Sequence, residues 1–588
     1  MNDRRRWLWI ALIAVLALAS SWNGIYNGFT YDDQFVVLSN PPLHDIHNWW
    51  RFFGMAYWPE NYGNDGYRPF TILLYSIQWA IGHGAPMIFH AVNIALYMMA
   101  SVAVFFLAET CLPFAAAWFA AALYAVHPVH VEAVANVVGQ SELLVVLCIV
   151  SATAFYIRRR NAGELTLPAK LIIALVYAIA CLSKEHGFVL PVVLAAAELS
   201  VVVDRTPLRQ RLLALRPFAL GLMIVSSGYI LAHAYVNQEI TGFHTYVPFA
   251  VLGVGASGRV FTMLGLVPEW LRLFLWPATL SAEYGPPQYP VVAGFHAYQV
   301  PGLICLIGVV ALGIVTWRKA PAISFGIWFM IITLLPTSNF LVPTGLLIAE
   351  RTLLTPTVGA MIAVAALIPW LYARLESAPA RSVAVAAGGL LIAAGAWRSY
   401  ERTKVWKDDE SLFVATVEDA PYVYRSHFML GAWRMSQKRK VQGEREYFYA
   451  MSLYEKDPYL FYSLGEEYRQ FYMYHHAVEM YRKALDADST IYEARARMAI
   501  ALAGEGDWEG ANREAIRALS ERTLSTKAML TIIRLSVIAL HRPKGTPPPS
   551  FEEAVKQLRE SRKPPVPVQK ARSGSALAPT ENGKVQSP

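Results

Sequence analysis

An all-α polytopic membrane bundle followed by a helical-repeat solenoid is the fold class that this sequence predicts, and three observations predict it. Of 588 residues 55% are hydrophobic and 16% charged, whereas a soluble domain carries roughly a quarter charged. The apolar residues gather in blocks as far as Trp397, while beyond Arg398 charge is dense and no stretch could span a bilayer. In that second part small and large residues recur every 34 positions. The expected organisation is a multi-spanning domain over 1–400, repeats over 401–540, and a Pro-rich linker, short helix and polar tail over 541–588.

Spans are expected at 7–26, 87–108, 114–126, 139–157, 169–182, 188–203, 217–236, 300–316, 322–341, 352–372 and 382–397. Crossing a bilayer takes about 20 apolar residues, so the shorter segments belong inside the bundle. With a cytoplasmic N-terminus, Arg158-Arg159-Arg160, the basic run 205–216, Arg318-Lys319 and Arg374 with Arg381 all fall inside, as basic loops should. That agreement requires amphipathic 258–276 to lie in the interface or re-enter without crossing. An odd number of spans then leaves the repeats on the same outer face as the loop after span one. The opening Met-Asn-Asp-Arg-Arg-Arg precedes an apolar run like a signal peptide, but Ala19-Ser20-Ser21 is a poor cleavage site, so a retained first helix is expected.

Phe29-Thr30-Tyr31-Asp32-Asp33 follows that helix directly. Adjacent carboxylates repel, so one holds its proton longer unless a cation or metal stands beside it. Asp32 or Asp33 is therefore a candidate general base; the plain alternative is a helix end facing water. The next loop carries 44–53, aromatic and apolar at helical spacing beside charge, which reads as an interfacial helix. Arg68 then stands ahead of span two, and its planar fork suits a phosphate or a pairing with Asp32 or Asp33 equally.

Span three ends in His127-Pro128-Val129-His130-Val131-Glu132, with Asn136, Gln140, Ser141 and Glu142 beyond. Polar residues at membrane depth normally face a cavity. Two His and a Glu invite a zinc reading, but no His-Glu-x-x-His pattern is present, and a polar wall or helix cap serves as well. Lys184-Glu185-His186 separates spans five and six; the lysine and glutamate either neutralise each other or offer a cation to a lipid-linked phosphate. Pro336-Thr337-Ser338-Asn339 and Glu350-Arg351 reach the same outer face.

In the C-terminal part Leu430-Gly431, Leu464-Gly465 and Met498-Ala499 follow the 34-residue period, as do Ala450, Ala484 and Ala518. The middle unit, with Leu464, Gly465, Tyr468, Ala477, Tyr481 and Ala484, has the packing positions of a tetratricopeptide repeat. Such units stack into a concave binding surface, or here simply brace the bundle. Net charge is +8, yet topological loops account for much of it, so nucleic acid is excluded as a partner. Cys111, Cys148, Cys181 and Cys305 lie in or beside apolar segments and imply no disulfide framework.

Together Tyr31-Asp32-Asp33, Tyr67-Arg68-Pro69, His127-Pro128-Val129-His130 with Glu132-Ala133-Val134, Lys184-Glu185, Leu335-Pro336-Thr337-Ser338-Asn339 and Ala349-Glu350-Arg351 resemble the transmembrane and tetratricopeptide-repeat O-mannosyltransferases of the cadherin-targeting type, multi-spanning GT-C glycosyltransferases. The likeness runs from Phe29 to Ala518, and the short, Ala-rich chain reads as a bacterial relative in an inner membrane. It implies a GT-C bundle of about 11 spans. It also implies inverting transfer of a sugar, mannose by the family's habit, from a polyprenyl-phosphate donor to a protein hydroxyl on the extracytoplasmic face. Asp32 or Asp33 would be the base, Arg68, Lys184 and Arg351 would hold the donor phosphate, and His127, His130, Glu132, Glu185 and Glu350 would wall the site. The repeats would receive the protein acceptor. Whether a divalent cation assists stays open, as do a glycan or lipid acceptor and a non-enzymatic scaffold working through its repeats. Asp32, Asp33, Arg68, Lys184 and Arg351 all on one membrane face favour the enzyme, since a scaffold has no use for them.

Overall fold

The computed structural model describes residues 3–59, 65–163, 165–204, 206–237, 254–521, 525–541, 546–547 and 549–561. Arg205, most of the expected outer segment 237–257 and the expected polar tail beyond 561 lie outside them. Among the described residues there is no strand, only one antiparallel bridge between Pro287 and Val423. The chain divides into two compact units, Met1–Leu460 and Phe461–Pro588.

The first unit opens with α1 (Asp3–Ser21), which runs into a 3-10 turn at Trp22–Tyr26. The interfacial stretch forms kinked 3-10 turns, Ile46–Gly54, with Phe52 buried and Trp49 and Trp50 exposed. α2 (Pro69–Gly82) is a helix where the sequence reading had only loop. Its 14 residues are too few for a span, and its Pro at the first turn is the local signal for a start. Then come α3 (Pro86–Ala108), α4 (Phe114–Ala125), the short α5 (Val131–Ala135), α6 (Gln140–Asn161), α7 (Leu167–Ser183), α8 (Leu190–Ser200) and α9 (Leu208–Asn237).

α10 (Ala256–Leu275), the stretch read as non-crossing, buries Met263, Leu266, Val267, Trp270 and Phe274 and does not qualify as a span. α11 (Val300–Lys319), α12 (Pro321–Leu334), α13 (Leu354–Ala365), α14 (Ile368–Arg374) and α15 (Ala378–Thr403) complete the apolar part. Each of the eleven expected spans contains a helix, although 188–203 and 322–341 run on past theirs, which end at Ser200 and Thr337. Seven described helices are long and apolar enough to cross a membrane, or eight if α4 and the segment Pro128–Ala135, bent by 47°, count as one. The chain is a multi-pass membrane protein. α7, α8 and α12 are shorter: α7 ends at a Lys-Glu-His turn, α12 at a Leu-Pro step, and α8 covers only Leu190–Ser200.

α6 is the central helix, with 83% of its apolar window buried, whereas the windows of α9, α11 and α15 are 11%, 11% and 6% buried. Those outer helices therefore turn Leu, Ile and Val outward, as lipid-facing helices do. Small residues set the closest approach. A Cβ at Gly326 of α12 would strike the Gly359 carbonyl of α13, and one at Gly359 the Gly326 carbonyl.

Beyond the bundle the first unit continues through α16 (Asp409–Asp419), α17 (Tyr424–Ser436) and α18 (Lys440–Leu453). The second unit takes up α19 (Pro458–Gln470), which begins at the division, and holds α20 (Tyr474–Ala487), α21 (Tyr492–Glu505), α22 (Trp508–Ser520), α23 (Thr526–Leu540) and α24 (Phe551–Ser561). Alternate helices start at 424, 458 and 492 and their partners at 440, 474 and 508, which is the 34-residue spacing twice over. Within the second unit Gly465 lies against the Tyr481 ring, and Leu464, Ala477 and Ala484 are fully buried, so the small residue of one helix receives the large residue of its partner.

Candidate active site

The loop after α1 is laid along the end of α15 before it reaches the acid pair. Asn27 Nδ2 donates to the Thr403 carbonyl at 3.3 Å, and the Gly28 N–H to the Lys407 carbonyl at 2.9 Å. Tyr31 then adopts φ +55°, a left-handed conformation that costs a side-chain-bearing residue about 1–2 kcal/mol. It is held there from three sides. Its N–H donates to Asp409 Oδ1 at 2.8 Å, its hydroxyl to Glu283 Oε1 at 2.9 Å, and its ring meets Trp406 and Phe413 edge-on.

The two carboxylates that follow have different surroundings. Asp33 is fully buried and accepts from the backbone N–H groups of Val138 at 2.8 Å, Val137 at 3.1 Å and Thr30 at 3.4 Å. It thereby closes the turn between α5 and α6, which is so tight that a Cβ at Gly139 would strike the Ala133 carbonyl. Burial pushes the Asp33 carboxyl up to about 8, against the pull of those three N–H groups. Asp32 accepts no backbone N–H; its Oδ2 lies 3.1 Å from Arg351 Nη1. Burial raises the Asp32 carboxyl too, Arg351 draws it down, Glu283 pushes it up, and Lys184 and Arg68 draw it down further. Four charged groups from distant stretches of chain therefore act on one carboxylate, and Arg351 touches it.

Each cation is already paired. Arg351 Nη1 reaches Glu132 Oε1 at 3.0 Å, and the Arg351 N–H donates to Glu132 Oε2 at 2.9 Å. Arg68 grips Glu185 through Nε at 3.0 and 3.1 Å and Nη2 at 3.0 Å, over the Tyr57 ring at 4.3 Å. Lys184 pairs with Glu142, whose other oxygen lies 3.1 Å from His186 Nε2. The Lys184-Glu185 pair of the sequence reading is thus replaced by two crossed pairs, because successive residues at a helix end point in different directions. Arg68 pairs with neither Asp32 nor Asp33. Against the penalty of burial, Arg68 holds the Glu185 carboxyl down at about 2.

His127 and His130 are placed otherwise. His127 Nε2 donates to the Phe274 carbonyl at 3.1 Å, and His130 Nδ1 meets the Tyr97 hydroxyl at 2.9 Å, itself bonded to the Tyr124 carbonyl at 2.8 Å. Both are buried links between helices, whereas Glu132, two residues on, turns to Arg351. Glu350 accepts from the Ser281 N–H and the Tyr284 hydroxyl, each at 2.6 Å, and so anchors the 281–284 loop. Among the described residues no group of three or more His, Cys, Asp and Glu side chains is gathered to hold a metal. Glu283 and Arg425 escaped the sequence reading. Glu283 is buried and Arg425 Nε reaches its Oε2 at 3.0 Å. A lone Glu inside Ser281-Ala282-Glu283-Tyr284-Gly285-Pro286-Pro287, beside a long apolar part, was the available signal.

No family model matches the chain. Mouse "Protein O-mannosyl-transferase TMTC3" is 26% identical over 392 residues, covering 60% of this chain and 42% of the mouse protein. Human TMTC4, of the same description, is 25% identical over 476 residues, 72% of this chain and 63% of its own. Drosophila melanogaster Tmtc2 is 32% identical over 301 residues, 47% of this chain and 30% of its own. The chain thus spans from about a third to under two thirds of these relatives. A solved oligosaccharyltransferase from Archaeoglobus fulgidus, tethered to an acceptor peptide, aligns at a TM-score of 0.40 and 15% identity over 77% of this chain and 59% of its own. By sequence, the proteins this chain is similar to are the transmembrane and tetratricopeptide-repeat O-mannosyltransferases.

Proposed function

We propose that the chain is a membrane glycosyltransferase that moves a sugar, mannose by analogy with its relatives, from a polyprenyl-phosphate donor to a Ser or Thr hydroxyl of a protein, on the extracytoplasmic face of a bacterial inner membrane. The observation that carries this is the difference between the two acids. Asp33 spends its lone pairs on backbone N–H groups, whereas Asp32 accepts none and stands among Arg351, Lys184 and Arg68. A base needs a free lone pair and a departing phosphate needs cations within reach, and this arrangement offers both.

Asp32 takes the proton of the acceptor hydroxyl as its oxygen attacks the anomeric carbon. The bond from that carbon to the phosphate oxygen breaks, and the lipid phosphate leaves with the electron pair. One displacement inverts the anomeric configuration. Arg351, Lys184 and Arg68 stabilise the charge that grows on the leaving phosphate, by exchanging carboxylate partners for phosphate oxygens. Glu132, Glu142 and Glu185 hold those cations in place when no donor is bound. The helical repeats receive the acceptor.

The names of the relatives support the reaction class, and the cluster around Asp32 supports the assignment of roles. The test is transfer of radiolabelled mannose from synthetic polyprenyl-phosphate mannose to Ser/Thr peptides by the purified protein, with and without chelator. Wild-type transfer that disappears in Asp32→Asn supports the reading; equal transfer by wild type and Asp32→Asn overturns it.

A further inference from the structure

We propose that Arg425, at the start of the first repeat hairpin, is a positioning residue for Asp32, acting through the Glu283 carboxylate and the Tyr31 hydroxyl. The proposal rests on the reading of Asp32 as the acceptor's base. Glu283 is 2% exposed and shares its two oxygens between Tyr31, 2.9 Å from Oε1, and Arg425, whose Nε lies 3.0 Å from Oε2 and Nη2 3.5 Å from Oε1. A buried carboxylate stays where its cation is, so the position of Arg425 sets that of Glu283, and Glu283 sets that of the Tyr31 ring. Tyr31 precedes Asp32 and sits in the left-handed region, a conformation that persists only where surroundings enforce it. Asp32 inherits its direction from that residue.

Arg425 is itself well fixed. The bridge between Val423 and Pro287 and the bond from the Tyr424 N–H to the Pro286 carbonyl at 3.1 Å join the start of α17 to the loop that carries Glu283. The Tyr424 hydroxyl is held by Asp457 Oδ2 at 2.6 Å. A hairpin with the repeat's helix spacing is thus built into the support of the reacting carboxylate. Among the described residues no hydrogen bond or ion pair joins Arg425 to Asp32, and its side chain is 29% exposed, so the main effect of shortening it is to take the cation from the buried Glu283 carboxylate.

The experiment uses the full-length protein in detergent, with hydrogen exchange read at the peptide covering Thr30 to Phe35 and steady-state transfer from polyprenyl-phosphate mannose. In Arg425→Ala exchange should rise several-fold in that peptide and not in α6, and kcat should fall about tenfold while the donor KM stays within about twofold. Arg425→Lys should recover most of both. Tyr31→Phe, which removes one oxygen and folds even if Arg425→Ala does not, should reproduce the effect, and the double variant should be no worse than either single one. Unchanged exchange, additive losses, or a parallel loss of donor binding would overturn the proposal. If the wild type transfers no sugar, the reading of Asp32 fails on its own, and exchange still decides whether Arg425 orders the loop.

Discussion

Oδ2 of Asp32 stands 3.1 Å from Nη1 of Arg351, and the same nitrogen reaches Glu132 at 3.0 Å. One guanidinium therefore joins the loop after α1, the short helix α5, and the start of the segment leading into α13. Arg suits such a junction because its donors are fixed in a plane and its charge is never lost.

The first prediction separates the adjacent acids. Asp32→Asn removes proton acceptance and keeps shape, so transfer should fall by roughly a hundredfold or more with donor binding retained. Asp33→Asn keeps one acceptor oxygen for the Val138 N–H and should lose far less. Transfer assays on both variants, with donor titration in parallel, decide between them. The site reading is lost if both work at the wild-type rate.

Stability should show the reverse order. Asp33→Ala leaves the Val137 N–H buried without its acceptor and the Val138 N–H with Asn136 Oδ1 alone at 3.2 Å, a loss of about 1–2 kcal/mol, whereas Asp32→Ala orphans no backbone group. Melting of the purified variants in one detergent measures this, and an Asp33→Ala protein as stable as Asp32→Ala would contradict it.

Asp33 also sets a pH dependence. Its carboxyl titrates at about 8 in the folded chain and at about 3.9 when unfolded. Below about pH 4 both states hold the proton and the contribution is fully present; between there and about pH 8 the unfolded state has released it first, so stability falls as pH rises. The melting temperature of the wild type should decline across that window, and Asp33→Asn should flatten the slope. An equal slope in both proteins would assign the effect to other groups.

Donor binding is expected to depend on the cations. Arg68→Ala removes a guanidinium that a phosphate can claim from Glu185 and should weaken the donor several-fold, with a smaller change in the rate at saturation. Lys184→Ala should act likewise. Titration of polyprenyl-phosphate mannose against tryptophan fluorescence reads both, and unchanged affinity in both variants would remove these residues from the phosphate site.

Topology is tested by single cysteines at exposed positions. Arg159→Cys and Arg209→Cys should resist a membrane-impermeant maleimide from outside, while Trp50→Cys and Glu479→Cys, also exposed, should react. Asp33 itself is buried and would stay silent on either side. Labelling of Glu479→Cys only from the cytoplasm would break the odd-span arrangement.

The helices of the bundle were legible because lipid demands long apolar runs, and each expected span contains a helix. α2 was not, since a 14-residue helix behind Arg68, interrupted by Thr71, Ser76 and Gln78, falls between the signatures of a loop and a span. The repeat spacing was legible because a period survives degenerate residues. At the site, single residue types pointed to Asp32 or Asp33, Arg68, Lys184 and Arg351, but their partners did not follow from adjacency. Glu185 turns from its neighbour Lys184 to Arg68, and Glu283 takes its cation from Arg425, well beyond the last apolar helix. Charge pairing between distant stretches depends on three-dimensional closeness that no local pattern records. His127 and His130, which in sequence invited a zinc reading beside that of a polar wall, bond to a backbone carbonyl and a tyrosine, partners that no local pattern names.

The helix starts at 424, 458 and 492, matched by partners at 440, 474 and 508, make this part of the chain countable in whole units. Duplicating or deleting 34 residues beyond the first hairpin, which carries Arg425, keeps the spacing of every later helix and its small and large packing residues in phase, whereas any other length change puts them out of phase. Such a chain can lengthen or shorten over evolutionary time by unequal recombination, gaining or losing surface in fixed increments and leaving the residues around Asp32 untouched.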